Sequence, residues 1–540
     1  MTTTPSVFAT RVSAQARVHS ELWVRARLRA STGPVVLLLS WELLALSGVL
    51  GRYALPTPTA VLSTEWHDGF YLTDAWTTLW EAGRGFLIGN LAAFVLALTC
   101  ASWIRLRRPV LHFAVASYCI PTIAIGPILV LLMSLDTTKV ALAALSVFFT
   151  SLVAFVLGLD SADPRHLDLI HAYGGGRWTM LCKVRVRAAL PSAMSGLALA
   201  APAAVLGAMI GDYLGGHRGL GVVMLQAEAS LHVARVWAVG VTATAMAGAA
   251  FALISLLGRR LSGGLTIGSL ERRPCASRSA SPTLASMLVR RMVALAATLA
   301  GLIFAWWAAV TVLGLNPYYA KTPSAVLHGL ATAQLGGTTG ELLLTGAGTT
   351  LVDALLGYLA GTLAAVVIAL AVTTSETARS IIMPSIVALR SVPLIAMTPL
   401  LALIFGNGTL LIATVAGTVV LVPTVVTVTA GLAHVPTPAV DLLHAYGAGR
   451  RATLLKLRLP FAIPALFASA RVAMPGAIVG AMLAEWLLTN SGLGHLMAVS
   501  VIDSNFNLLW GALAIATVIS VILYQLMSEG EELALARLSQ

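Results

Sequence analysis

The chain has 540 residues and a formal charge of +12, yet only 10% of its residues are charged and 58% are apolar. A soluble chain of this length carries about 25% charge, so a mean hydropathy of +0.88 excludes an ordinary soluble protein. The basic residues sit in short clusters beside apolar runs, which reads as membrane topology and contact with anionic lipid, not as nucleic-acid binding.

Taken in chain order, residues 1–33 carry Arg11, Arg17, Arg25, Arg27 and Arg29. That stretch is too long and too basic for a signal peptide and reads as a retained cytoplasmic tail. Apolar runs of about 20 residues suffice to cross ~30 Å of hydrocarbon. They fall at 34–50, 83–103, 109–134, 138–159, 192–214 and 236–257, making a first membrane domain over 34–257. A basic, Ser-rich linker follows at 258–291. The second domain, 292–540, repeats the pattern at 292–314, 349–373, 380–406, 409–432, 465–488 and 507–527. The expected fold is an all-α integral membrane protein of about twelve transmembrane helices.

Arg105, Arg107 and Arg108, the stretch from Arg165 to Arg187, and the linker all fall on one side of these spans together with the tail. By the Arg/Lys bias that side is cytoplasmic, N-terminus included. Cys100 and Cys119 lie in apolar runs and Cys182 and Cys275 in basic loops, with no spacing that suggests a disulfide or a metal site.

The two halves are copies. Thr77-Thr78-Leu79 recurs as Thr349-Thr350-Leu351, Gly85 and Gly89 as Gly357 and Gly361, and Pro121 and Pro127 as Pro393 and Pro399. Asp168-Leu-Ile-His-Ala-Tyr-Gly174 recurs as Asp441-Leu-Leu-His-Ala-Tyr-Gly447, and Gly219-Leu-Gly221 as Gly492-Leu-Gly494. A repeat of this length is a domain copy, not a solenoid unit. With an even number of spans in each, the copies are parallel and related by an axis along the membrane normal.

The loop between the fourth and fifth spans of each half carries the most information. It reads as a short helix, with Asp163 or Thr437 as N-cap, Pro164 or Pro438 at the first position, and Gly174 or Gly447 as left-handed terminator. About ten residues span only ~15 Å, too short to cross a bilayer. A connecting interfacial helix would satisfy the same pattern. Retention of the same Asp, His-Ala-Tyr-Gly and Arg residues in both copies favours a docking element.

This loop resembles the "EAA" signature of the transmembrane subunits of binding-protein-dependent ABC importers: Glu-Ala-Ala, three residues, Gly, nine residues, then Ile-x-Leu-Pro. Gly447 followed by Leu457-Arg458-Leu459-Pro460 matches it. In the first half Val184-Arg185-Val186-Arg187 stands there, with Arg187 in place of the proline. Asp168 and Asp441 stand for the glutamate, and the alanines are absent. The Pro-x-x-Ala-x-x-Pro segments at 121–127 and 393–399, and an acid followed by Gly-Leu-Gly (Asp212 to Gly221, Glu485 to Gly494), are similar to the nitrate/sulfonate/taurine branch.

The resemblance implies two permease domains of the type I importer fold in one chain, replacing a permease dimer in a bacterial cell membrane. It also implies two separate ATPase subunits, which bind ATP and Mg, and an extracytoplasmic solute-binding protein. Coupling to the ATPases would fall to Asp168, His171, Ala172, Tyr173, Gly174, Arg177, Asp441, His444, Ala445, Tyr446, Gly447, Arg450 and Pro460. The arginines are equally suited to lipid head groups. A small sulfonate-, nitrate- or taurine-like anion is the implied solute, with thiamine or its precursors, iron or a polyamine as alternatives.

No enzyme function is expected of the chain itself. Its lysines, Lys139, Lys183, Lys321 and Lys456, do not follow a glycine, so no phosphate-binding loop is present. A twelve-span secondary carrier has the same symmetry but no need of the paired loop helix, and a membrane enzyme would need clustered histidines or carboxylates. Ionisable residues at membrane depth are functional candidates. Glu81, Arg84, Asp353, Asp212 and Glu485 are expected to be interfacial and solvated. The alternative for Asp212 and Glu485 is a place on the solute pathway or contact with the binding protein, which His217 and Arg218 could share.

Overall fold

The computed structural model describes residues 38–48, 55–261, 284–334, 337–391, 394–433 and 435–538. The N-terminal tail, most of the linker and Cys275 lie outside these. Within the bilayer every backbone N–H and C=O must find a partner inside the chain, which leaves helices as the economical solution for such a sequence.

In the first half α1 (Leu38–Ser47) leads to the short α2 (Pro58–His67), then α3 (Leu72–Ser102), α4 (Ile104–Cys119), α5 (Thr122–Leu132) and α6 (Leu135–Asp160). The loop helix α7 (Pro164–Ala172) precedes α8 (Arg177–Met180) and α9 (Val186–Tyr213), then α10 (Leu220–Ala229) and α11 (Val233–Leu261). The second half repeats this with α12 (Leu284–Val312), α13 (Pro323–Gly329), α14 (Thr339–Thr374), α15 (Glu376–Ser391) and α16 (Leu394–Phe405). It continues with α17 (Thr409–Ala433), α18 (Thr437–Ala445), α19 (Arg450–Thr453), α20 (Leu459–Leu488), α21 (Gly492–Ile502) and α22 (Phe506–Leu538). A two-residue antiparallel ladder, Ala333 opposite Thr338 and Gln334 opposite Gly337, is a small departure from an all-α chain.

Among the described residues nine helices are long and apolar enough to cross a membrane, and a bent pair makes a tenth. That pair falls on the span expected over 109–134 and is sharply bent: Phe113–Cys119 and Thr122–Leu132 meet at 91°. The cause is Pro121. A proline disfavours helical backbone at the residue before it, and Ile120 is extended at φ −74°, ψ 119°. In the second half α15 and α16 flank the matching Pro393.

Equivalence of the first spans, where the sequence repeat is silent, comes from two tryptophan pairs. Trp41 of α1 lies 5.2 Å from Trp237 of α11, and Trp306 of α12 lies 5.2 Å from Trp510 of α22. Trp41 Nε1 donates to the Pro56 carbonyl and Trp306 Nε1 to that of Lys321. Thr57 and Thr322 then cap α2 and α13 alike. Each half therefore begins with the same first span packed on its last.

The core of each half is α3 on α6 on α9, and α14 on α17 on α20. Small residues allow the close approach that drives helix association in lipid. A Cβ at Gly89 would come within 2.5 Å of the Ala144 carbonyl oxygen, and one at Gly361 within 2.5 Å of that of Gly417. The halves interlock, α11 against α15 and α16, α22 against α4, and α20 against α5.

Candidate functional site

The paired loop helices come out alike. In α7 the Asp163 carboxylate accepts from the Arg165 amide at 3.0 Å, and Pro164 follows in the first turn. In α18 the helix already begins at Thr437, so Pro436 takes the cap position expected of Thr437, and that end has no side-chain cap. Both helices end on a left-handed glycine, Gly174 at φ +76° and Gly447 at φ +74°. The Gly175 amide reaches back to the Ile170 carbonyl and the Ala448 amide to that of Leu443, each at 2.9 Å. This closure satisfies the last free carbonyls of the turn.

Every candidate coupling side chain of α7 and its exit points outward: Asp168, His171, Ala172, Tyr173 and Arg177 are exposed, as is Gly174. So are Asp441, His444, Ala445, Tyr446 and Gly447. Tyr173 and Tyr446 stand 84% and 83% exposed, among the most exposed aromatic side chains described. Arg450 opens α19 and Pro460, half-buried, lies in the first turn of α20. Before each long inner helix the backbone makes a π-helical turn, Leu181–Arg185 and Leu454–Arg458. The turn is present with Arg187 as with Pro460, so the missing proline does not alter the local backbone.

The buried carboxylates overturn the solvated expectation. Asp212 is 1% exposed and Glu485 0%, with Glu81 and Asp353 buried as well; Arg84 alone of the five is exposed. Thr78 Oγ1 of α3 donates to Asp212 Oδ2 at 2.7 Å and accepts from the Leu220 amide at 2.9 Å. Thr350 Oγ1 likewise donates to Glu485 Oε2 and accepts from the Leu493 amide, both at 2.8 Å. The repeated Thr, acid and Gly-Leu-Gly thus form one joint that ties α3 or α14 to the ends of α9 and α10, or α20 and α21. His217 and Arg218 are exposed just beyond it.

Lys139 is the residue that sequence reading missed. It is 2% exposed in the first turns of α6, with Nζ 2.9 Å from Asp212 Oδ1, 3.1 Å from Glu81 Oε1, and donating at 2.9 Å to the Arg218 carbonyl. Its signal was a lone lysine at the start of an apolar run; the two acids that hold it lie far away in sequence.

Between the halves lies a cavity of about 1750 Å³. It is bounded by prolines, Pro202 and Pro475, by aliphatic side chains, and by hydroxyls such as Ser117, Thr122, Ser195 and Thr418. Tyr118 and Phe149 stack in its wall at 4.4 Å. Its mouth reaches Asp163 and Pro164, so it opens on the side of the loop helices. There Arg107 is ion-paired with Asp160. Neither Asp212 nor Glu485 lines it.

Two copies of one helical unit, each with an outward loop helix and a shared central cavity, agree with the family comparison. The model of binding-protein-dependent transport system inner membrane components matches residues 87–265 and again 357–528. The chain belongs to this family. The permease is 32% identical over 200 residues to a probable ABC transporter permease protein of Haemophilus influenzae, covering 37% of this chain and 82% of that one. It is 31% identical over 191 residues to the formylaminopyrimidine transport permease protein of Halalkalibacterium halodurans, covering 35% and 76%. It is also 26% identical over 211 residues to the taurine transport system permease protein of Escherichia coli, covering 39% and 77%. As a transport permease subunit of the ABC class it is not itself an enzyme.

Proposed function

We propose that this permease forms the whole solute pathway of an ATP-driven importer, one chain serving where two permease subunits would pair. In this reading α7 and α18 dock two separate ATPase subunits in the cytoplasm, ATP and Mg are bound by those subunits, and a solute-binding protein delivers cargo to the opposite face. The N-terminus is cytoplasmic and the membrane is the bacterial cell membrane, with basic loops against lipid head groups. The observation that carries it is the recurrence of one exposed, glycine-terminated helix, followed by one π-turn, at equivalent places in both halves. The opening of the central cavity toward those helices supports the same reading.

For the solute, the cavity favours a small heteroaromatic molecule. Its wall offers a stacked aromatic pair and scattered hydroxyls, and the cation described at its mouth is already paired. Aromatic faces and a few placed polar groups suit a flat heterocycle. The formylaminopyrimidine relative and the riboflavin transport permease relative of Chloroflexus aurantiacus support this. A small sulfonate is the second reading, favoured by the sulfonate and taurine relatives and by Arg390, which falls at the repeat position of Tyr118.

The test is reconstitution of the permease with its ATPase and binding protein. A complex of one permease chain with two ATPase subunits is expected, with hydrolysis stimulated by binding protein loaded with a pyrimidine or other heterocycle. Stimulation by a sulfonate alone, abolished in Arg390→Leu, would move the assignment to the second reading. Uptake without any ATPase would replace the importer by a secondary carrier.

A further inference from the structure

The two halves differ at one buried place. In the first half the ammonium of Lys139 is held by Glu81, Asp212 and the Arg218 carbonyl. The repeat positions in the second half are Asp353, Glu485 and Ser491, and the position of Lys139 is taken by Ile412, which is 2% exposed: Gly357 meets Ala413 and Ala416 where Gly85 meets Val140 and Ala143. Two acids are thus retained and their cation is lost. Asp353 is 4% exposed and Glu485 0%. Glu485 Oε2 is occupied by Thr350 and by the Gly494 amide, at 2.8 Å each. Among the described residues Glu485 Oε1 has no hydrogen-bond partner. A buried carboxylate oxygen left so is costly.

A second observation points to what answers it. A cavity of about 620 Å³ lies at the Asp353 end of this pair, and among its lining residues are Asp353, Asn407, Thr409, Thr489, Asn490 and Ser491. These are carboxylate, amide and hydroxyl groups, hard oxygen donors suited to hard cations. It lies at the end of the half opposite α18, where α20 gives way to α21. We infer that the second half binds one small monovalent inorganic cation between Asp353 and Glu485, at the place where the first half carries the Lys139 ammonium. The single positive charge follows from the first half, where one ammonium serves both acids. The bound cation would hold α14 to the α20–α21 joint, as Lys139 holds α6 to α3 and α9.

The test is thermal unfolding of the full chain in lipid nanodiscs, in sodium, potassium or N-methylglucamine chloride at equal ionic strength. A ligand that binds only the folded state raises the unfolding temperature in a saturable way. The expected result is a rise of a few degrees in sodium or potassium over N-methylglucamine, lost in Asp353→Asn. Ile412→Lys supplies an internal ammonium, and that variant is expected to be stable in all three salts and indifferent to the choice. Equal unfolding temperatures of the wild type in all three salts would overturn the inference and leave the acid pair to share a proton. An undiminished response in Asp353→Asn would overturn it too. Should Ile412→Lys fail to fold, the Asp353→Asn comparison decides alone.

Discussion

Tyr118 of α4 donates its phenolic O–H to the backbone carbonyl of Val472 in α20, at 2.9 Å and across 354 positions of the chain. Both residues line the central cavity, so this bond ties one half of the permease to the other at the cavity wall. A bond of this kind contributes about 1 kcal/mol net.

Tyr118→Phe keeps the ring and its stacking on Phe149 and removes only the bond. The form of the permease with this cavity should lose about 1 kcal/mol, a shift of roughly fivefold in any conformational equilibrium it enters. Basal ATP hydrolysis by the reconstituted complex should rise by up to that factor. Unchanged hydrolysis would mean that the bond persists throughout the cycle.

Gly174→Asp and Gly447→Asp test the docking role proposed for α7 and α18. Both glycines have positive φ, and a Cβ at either would meet nothing within 4 Å. The local cost is therefore the backbone term, about 1 kcal/mol, and the membrane core should unfold at nearly the wild-type temperature. Affinity for the ATPase should fall roughly tenfold or more, equivalent to 1.4 kcal/mol. A pull-down that is unchanged in both single variants and in the double variant would remove α7 and α18 as the docking sites.

Lys139→Met leaves Glu81 and Asp212 buried without their cation. Breaking a buried ion pair on one side costs about 3–5 kcal/mol. Ile412→Met at the repeat position conserves volume and should cost under about 1.5 kcal/mol. Thermal unfolding of the two variants side by side checks the difference, and equal losses would show that Lys139 is held by packing and not by charge.

Glu228 in α10 gives a pH dependence. Burial raises its carboxyl from the ordinary 4.5 to about 7, against the hydrogen bond from Tyr213 Oη at 2.9 Å, which lowers it. Between pH 4.5 and about 7 the folded chain holds this proton more firmly than the unfolded one. The contribution is present below 4.5, declines as pH rises through 7, and is flat above. Glu228→Gln should remove that part of the slope, as measured by unfolding temperature from pH 5 to 8.

Membrane class, duplication and the paired loop helix were legible in the sequence because each is a local or periodic property. Apolar length sets a span, a glycine after a capped turn ends a helix, and a copied motif keeps its register whatever surrounds it. The sequence also marked Asp212 and Glu485 as equivalent. Only the tertiary structure decided that they are buried joints, because burial depends on which helix packs over them, and Lys139 reaches Asp212 from another helix. The bend at Pro121 and the shared first spans were decided there as well. A proline permits a break without fixing its angle, and Trp41 and Trp306 reveal their equivalence only through the partners each half folds against them.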